Sequence, residues 1–405
     1  MSPQQPHLVI IGHGMGAQRL LQSLSDSCCR RWSVTVVGGE PGLAYNRIQL
    51  SGWLAGDVSA EALTLKPQQW FSQRSIQVHS GDPVVAIDRD GQYVHTESGR
   101  RITYDRLVLA TGSRSAFPKV QGINLAGIQG FRNRADTRRL LDQARPNSRA
   151  VIIGGGFLGL EAAYGLHQRG MQVTVVHRSP HLLNRQLDPA AGELLGNALA
   201  AQGIDVRLES QLAGFSGTDR VEEVVLESGE RIAAEQVVLA TGITPNRELV
   251  EEAGLDTDRG IRIDHTLTTS DPRIHALGEC CQLEGATYGL VEPVNRQADV
   301  LADRLKGGSS LYQDQAVATR LKISGIDLFS CGEISAGPDT ESIIYHDRQG
   351  GEYRHLLLRG NRLAGAVLYG DTRTGPWLFE HLQQGTDLAP WRAQLAFGEA
   401  HCEAA

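Results

Sequence analysis

AVIIGGGFLGLE, residues Ala150–Glu161, is the stretch on which the fold turns. Val151–Gly154 reads as the end of a buried strand, and Leu160–Gln168 reads as the helix after it. Between them, Gly154-Gly155-Gly156-Phe157-Leu158-Gly159 fits G-x-G-x-x-G without a mismatch. Each glycine answers a separate need. Gly154 makes the tight turn, Gly156 lets a pyrophosphate approach the backbone, and Gly159 lets helix and strand pack closely. The phosphates then sit on the unpaired N–H groups and the positive dipole end of the helix, which places Phe157 and Leu158 at the cofactor. A lone match of this kind is a weak signal, because glycine-rich turns are common. A second copy near the N-terminus gives it weight.

That copy begins with the apolar strand His7–Ile11 and continues Gly12-His13-Gly14-Met15-Gly16-Ala17, the G-x-G-x-x-A variant. Helix follows at Ala17–Leu24 and a parallel strand at Val34–Val37. Glu40 stands about where an acid takes the ribose hydroxyls of an adenosine, with Gly39 at the neighbouring position. Gly42–Leu54 reads as a loop entering a short helix. In it, Asn46 and Arg47 are within reach of the same dinucleotide; the other reading of Arg47 is a solvated surface arginine. Val78–Ile87 and Tyr93–Glu97 read as strands of a small meander with a turn at Asp90-Gly91, and Val84 is counted with the cofactor positions. Leu107–Ala110 is a third apolar strand and ends in Thr111-Gly112-Ser113.

The same strand ending returns at Val237–Gly242, VVLATG. Each half therefore runs glycine turn, helix, VTVV strand, hairpin strands and ATG ending, from Ile10 to Gly112 and from Ile152 to Gly242. Two such units imply two dinucleotides, and FAD with a nicotinamide cofactor is the economical pair. Ala110, Thr111 and Gly112 would serve the first, and Thr241 and Gly242 the second.

The second unit departs from the simple NAD pattern. After Val176 the ribose-binding acid is replaced by His177-Arg178. A cation there accommodates a 2′-phosphate and favours NADPH; ribose held by backbone and water leaves NADH usable. His177 and His181 are four apart, but Pro180 between them argues against a helix presenting both to a metal, and no metal site is expected. Thr268–Glu279, TTSDPRIHALGE, closes the first unit after the second has been inserted. Its strand Ile274–Leu277 delivers Gly278 and Glu279 to the carboxyl edge of the sheet, where an acid can hydrogen-bond ribityl hydroxyls. Tyr288–Pro293 opens a helix through Leu305. From Thr319 the pattern changes to strands at Leu321–Phe329, Ser342–Tyr345, Tyr353–Leu358 and Leu363–Leu368, then a helix at Pro376–Gln383.

The expected class is thus α/β, with two Rossmann-like dinucleotide-binding domains, the second inserted in the first, and a small C-terminal α+β domain. The FAD-binding domain is expected at 1–115 and 244–312, the NAD(P)-binding domain at 116–243, and an interface domain at 313–405. Composition agrees: 405 residues, 41% hydrophobic and 21% charged, leave room for two or three cores. A net charge of −7 argues against a nucleic-acid partner. Leu8–Ile11 is too short for a signal segment and no long apolar span exists, so no membrane partner and a cytoplasmic location are expected. The cysteines Cys28, Cys29, Cys280, Cys281, Cys331 and Cys402 form no C-x-x-C pair and read as free thiols.

Together, the two fingerprints, the two ATG endings and TSDPRIHALGE (Thr269–Glu279) resemble the flavoprotein reductases with two dinucleotide-binding domains. AYNRIQLS (Ala44–Ser51), NRQLDPAAG (Asn184–Gly192), YGLVEP (Tyr288–Pro293) and LKISGIDLFSCGE (Leu321–Glu333) are similar, more narrowly, to the flavoprotein segment of bacterial NAD(P)H nitrite reductase large subunits. They also resemble the FAD electron-transfer subunits of assimilatory nitrate reductases. The resemblance implies electron flow from NADH or NADPH through FAD to a partner redox protein: a nitrate or nitrite reductase catalytic subunit, or a small iron–sulfur carrier. It implies no acid–base residue, so none is named as catalytic. Phe157 would gate the flavin face or serve as apolar filler. Two departures stand out. The spaced cysteines of the iron–sulfur and sirohaem segments are missing, so nitrite reduction itself would need another chain. In addition, rubredoxin and ferredoxin reductases often carry a lysine after the Leu-Ser of the first loop, able to pair with the glutamate matching Glu161; here that position is Gly52. The rivals are a rubredoxin- or ferredoxin-type reductase for another chain and a flavin-binding protein with incidental turnover. A thiol-based reductase is disfavoured, with the role of Cys280 and Cys281 left open.

Overall fold

The computed structural model describes residues 5–323 and 325–402; the side chains of 25–30 and 323 fall outside the described residues, and with them the thiols of Cys28 and Cys29. The first glycine turn lies between β1 (His7–Ile11) and α1 (Met15–Arg31); β2 (Ser33–Gly38), β3 (Gln77–Ser80) and β4 (Arg106–Leu109) follow. Next come β5 (Ile128–Gly130), β6 (Arg149–Ile153), α2 (Phe157–Gln168), β7 (Gln172–Val176), α3 (Pro189–Ala201), β8 (Asp205–Arg207) and β9 (Gln236–Leu239). After β10 (Ile274–Ala276) and α4 (Val291–Lys306), the tail supplies β11 (Thr319–Ile323), β12 (Ile326–Gly332), β13 (Glu341–Asp347), β14 (Glu352–Arg359), β15 (Arg362–Tyr369) and α5 (Gly375–Gln384). The chain divides into two units, one of Met1–Leu50, Val58–Ser115 and Gly242–Gln315, the other of Ser51–Asp57, Ala116–Thr241 and Ala316–Ala405.

In the first unit a five-stranded sheet runs β10-β4-β1-β2-β3, every neighbouring pair parallel. Leu8, Val9 and Ile10 have no exposed surface, as a central strand covered on both faces requires, and this is why β1 is a continuous apolar run. Register sets Ile11 beside Val37 and Leu109, and Leu109 beside Ala276. The carboxyl ends of four strands therefore share one edge, and Gly12, Ala110 and Gly278 leave from it. One expectation needs correction. Val78–Ile87 is not a single meander strand: Gln77–Ser80 pairs with β2 as the outer parallel strand, and only Val84–Asp88 belongs to the antiparallel meander with Tyr93–Thr96 and Arg101–Thr103. Gly81, at φ +71°, and Pro83 turn the chain between the two.

The second unit repeats the plan with a parallel sheet β8-β7-β6-β9-β5 and its own antiparallel meander, Leu212–Ser216, Glu223–Leu226 and Arg231–Ala233. The tail forms an antiparallel sheet in the order β11-β12-β15-β14-β13. The expected strand Leu321–Phe329 is in fact a hairpin, β11 and β12, turning at Gly325 with φ +83°. Phe329, Leu356, Leu358 and Leu368 on one sheet face pack with Leu378 of α5. Residues of the other face reach α3. Asp188, the N-cap of α3, accepts from Ala191 N–H (3.0 Å), from the Tyr353 hydroxyl (2.6 Å) and from His355 Nδ1 (2.7 Å). Burial opposes its ionisation, but the hydrogen bonds from His355, Tyr353 and Ala191 together hold its pKa below the ordinary aspartate value.

Candidate dinucleotide-binding sites

Both glycine turns are built alike. Gly12 N–H donates to Val37 O and Gly154 N–H to Val176 O, each at 2.8 Å, so each turn is tied to the strand beside it. Gly12 has φ +104° and Gly154 φ +122°; a Cβ on either would stand 2.1 Å from Ala110 O or 2.3 Å from Ala240 O. Only glycine fits. At the next fingerprint position, Gly14 and Gly156, a Cβ would meet nothing within 4 Å. These are open backbone cradles ahead of α1 and α2, and Gly156 caps α2 without a side chain. The first N–H groups of α2, from Phe157 and Leu158, have no intrahelical acceptor and face the position an anion takes. Phe157 is half-buried and Leu158 more than a third exposed. The residues present therefore fit a pyrophosphate at each turn.

Around the first turn Met15 starts α1, while Gly16 and Ala17 let it pack: a Cβ on Gly16 would lie 2.8 Å from Leu277 and Val294 side chains. The structure brings Glu40 and Arg47 together as an ion pair, and the Tyr45 hydroxyl donates to Glu40 at 2.7 Å. Arg47 is thus no isolated surface arginine. Asn46 instead caps the turn Arg47–Gln49, its Oδ1 accepting from Ile48 N–H at 3.1 Å. Val84 starts the meander opposite Thr96, half-buried against the core. At the ATG ending, Ala110 N–H donates to Ile11 O (2.7 Å), Thr111 Oγ1 to Asn246 O (3.0 Å), and Gly112 (φ +64°) borders open space. Ser113 Oγ donates to Glu279 at 2.9 Å, and Gly278 N–H donates to the Gln297 side chain of α4 at 2.8 Å. Asn246 returns a second bond, Nδ2 to Thr111 O at 2.8 Å. Ser113, Asn246 and Gln297 escaped the sequence reading because no motif marks them; Gln297 lies wholly buried in the second turn of α4.

Around the second turn, a Cβ on Gly159 would lie 1.9 Å from Gly154 O, so α2 can approach β6 only with glycine there. Thr241 Oγ1 donates to Ala116 O at 3.0 Å, and Gly242, at φ +134°, borders open space. Glu161, on the second turn of α2, is mostly buried; burial raises its pKa to about 7, and the Ser51 hydroxyl pulls weakly the other way. No cation contributes, in keeping with Gly52 in place of a lysine. His177 packs into the turn itself. Its Nδ1 accepts from Gly155 N–H at 3.1 Å and the side chain is nine-tenths buried. Burial pushes its pKa down, against smaller contributions from Asn184 and the His181 backbone. It is a neutral part of the turn, and Arg178 alone is the cation, exposed at the end of β7.

Cys280 and Cys281 are wholly buried, their thiols donating to Leu277 O (3.2 Å) and Gly278 O (3.1 Å). Burial raises both pKa values, which leaves neither thiol nucleophilic. Among the described residues, no helix is long and apolar enough to cross a membrane.

Residues 6–298 match the pyridine nucleotide-disulphide oxidoreductase family, and 318–386 match the rubredoxin NAD+ reductase C-terminal domain. The chain is 39% identical to nitrite reductase [NAD(P)H] of Bacillus subtilis over 94% of its own length and 48% of the relative's. It is 36% identical to the assimilatory nitrate reductase electron transfer subunit of the same organism, over 97% and 51%. It therefore spans about half the length of these curated relatives. Among solved structures, the covalent putidaredoxin reductase–putidaredoxin complex aligns with a TM-score of 0.83 at 26% identity, covering 98% of this chain and 99% of that one. With both turns formed and most of its length matched, the chain belongs to the pyridine nucleotide-disulphide oxidoreductase family and is an NAD(P)H-dependent flavoprotein oxidoreductase with FAD as its second cofactor.

Proposed function

We propose that the chain carries electrons from NAD(P)H through FAD to a partner redox protein, and that the partner is the reducing centre of a nitrate or nitrite assimilation system. The observation that carries the electron path is the pair of open cradles, Gly14 and Gly156, each at the head of a complete strand–turn–helix unit. In this reading 1–115 with 244–312 holds FAD, 116–243 holds NAD(P)H, and 313–405 serves as interface. Bound in place, the nicotinamide supplies a hydride and the flavin an acceptor that can release electrons singly or in pairs. The chain's own work is holding and orienting. The N–H groups at Met15 and Phe157 receive pyrophosphates. Glu40, steadied by Arg47 and Tyr45, takes adenosine ribose hydroxyls on the first unit. Glu279, fixed by Ser113, accepts from ribityl hydroxyls. No side chain has to move a proton for the transfer, and none of the buried thiols is placed to.

The nitrogen-assimilation acceptor rests on the two Bacillus subtilis relatives. A second reading, a rubredoxin- or ferredoxin-type reductase, is favoured by the match of 318–386 and by the putidaredoxin reductase likeness. The test is reduction of candidate acceptors by the purified protein under excess NAD(P)H. Rapid turnover with a purified assimilatory nitrate or nitrite reductase catalytic subunit supports the first reading; rapid turnover only with rubredoxin or a small ferredoxin overturns it in favour of the second.

A further inference from the structure

The C-terminal sheet and α3 bring three side chains into one hydrogen-bonded row. Asp188, buried at the head of α3, accepts from His355 Nδ1 at 2.7 Å and from the Tyr353 hydroxyl at 2.6 Å. A carboxylate offers only acceptors, so the neutral ring carries its proton on Nδ1 and its lone pair on Nε2. Ser342 Oγ lies 3.0 Å from that Nε2 and donates to it. Serine, histidine and aspartate thus stand in the order of a nucleophile, its general base and the group that orients the base. Strand register puts them there. Ser342 lies opposite Leu357 and Ile344 opposite His355, so Ser342, Ile344 and His355 share one face of β13 and β14, with serine diagonal to histidine. Asp188 and His355 are buried, whereas Ser342 is exposed. Beside it on the same face, Ile344 is 58% exposed. β13 is the edge strand, so among the described residues alternate backbone N–H groups along it have no strand partner.

We propose that Ser342 is the nucleophile of a second, flavin-independent site that transfers acyl groups from esters of short apolar carboxylic acids. Ser342 Oγ bonds to the carbonyl carbon as its proton passes to His355 Nε2. The ester C–O bond then breaks, and the departing alkoxide takes that proton and leaves as the alcohol. Water, deprotonated by the same Nε2, attacks the acyl-serine; the acid leaves and Ser342 is restored. Asp188 is a positioning residue: it holds the ring with Nε2 turned to the serine and stabilises the imidazolium. Ile344 receives the acyl chain, and the open N–H groups of the strand edge receive the carbonyl oxygen as it gains charge. An exposed hydroxyl has water for a partner, so satisfying its own hydrogen bond does not require the buried ring.

The test treats the flavin-loaded protein with a fluorophosphonate probe, which bonds to activated serines, and separately with p-nitrophenyl butyrate. The expected result is one probe adduct per folded chain, mapped by peptide mass to Ser342 and lost when the chain is unfolded in urea. Ser342→Ala should abolish the adduct and lower ester hydrolysis about a hundredfold, while flavin reduction by NAD(P)H stays as it was. His355→Gln should slow formation of the adduct by about the same factor, the size of a lost general base. An adduct elsewhere, no adduct, or one at Ser342 that forms as fast without His355 overturns the proposal and leaves the row as a structural support of α3. Mapping in the unaltered protein and in Ser342→Ala, a change at an exposed position, keeps the test decisive if His355→Gln fails to fold.

Discussion

The two glycine turns solve one problem with opposite distributions of bulk. In the first, His13 fills the second turn position and the strand end beside it is Gly38, where a Cβ would stand 3.0 Å from His13 Cβ. In the second the pair is exchanged: the turn position is Gly155, and the strand end is His177, 2.9 Å from where a Gly155 Cβ would be. Each turn thus pairs one imidazole with one glycine. The rings are not equivalent. Burial lowers the pKa of both, His13 to about 4, yet only His177 is hydrogen-bonded to the turn itself. A second exchange occurs at the helix start. Gly16 is hemmed in by Leu277 and Val294 where the other unit has the exposed Leu158, whereas Ala17 is accepted where the other unit demands Gly159. The backbone geometry of a dinucleotide turn is therefore invariant between the halves, while side-chain volume is negotiated locally with whatever packs behind.

The sharpest way to break the comparison is to exchange the third fingerprint residue. Gly159→Ala should be the most damaging change, about 3 kcal/mol or more in a denaturant melt, because the added methyl meets the Gly154 carbonyl, which cannot give way. Nicotinamide binding should fall with it while flavin absorbance is retained; a stable variant with unaltered affinity would refute the packing argument. Next in size is Asp188→Asn, expected to cost about 2–4 kcal/mol because Tyr353 and His355 lose a buried carboxylate. Since the folded Asp188 pKa is depressed, its contribution is present above the unfolded aspartate value and is lost as pH falls through the lower folded one. The wild-type protein should therefore lose stability at the acid end more steeply than the variant, as thermal melts across pH 2–5 would show.

Glu161 gives a slope of the other sign. Its pKa is raised from 4.5 to about 7, so between those values the folded state holds a proton that the unfolded state has released. Stability from this group is full below the unfolded value and falls as pH rises through the folded one. Glu161→Gln should flatten that decline between pH 5 and 8; an unchanged slope would show that the carboxyl is not held neutral. The smallest expected effect is Ala17→Gly, about 1 kcal/mol from helix propensity alone, because nothing in the first unit requires glycine there. Set beside Gly159→Ala, it measures how differently the two halves use one position.

Much of this was legible in the sequence. The two fingerprints, the two VLATG endings and the strand that returns at Ile274–Ala276 follow from local chemistry: glycines at fixed offsets and apolar runs short enough to be central strands. The boundaries that went astray, Val78–Ile87 and Leu321–Phe329, were places where an apolar pattern ran on through a turn made by Gly81 or Gly325. Periodicity cannot show whether such a run continues in one sheet or changes partner. The site was half legible. Glu40 and Glu279 were found from motif spacing, but their supports, Arg47 with Tyr45 and Ser113, depend on side-chain meetings that only the fold creates. His177 was half legible in the same way: its place after the VTVV strand was read, and its bond from Gly155 was not.

One measurement tests the central claim most directly: anaerobic stopped-flow absorbance at the flavin bands of the purified protein, mixed with NADPH and separately with NADH. The account predicts a yellow protein whose flavin bands bleach rapidly with a nicotinamide nucleotide and remain bleached until an acceptor is added. A protein that binds no flavin, or whose flavin neither nucleotide reduces, would contradict it.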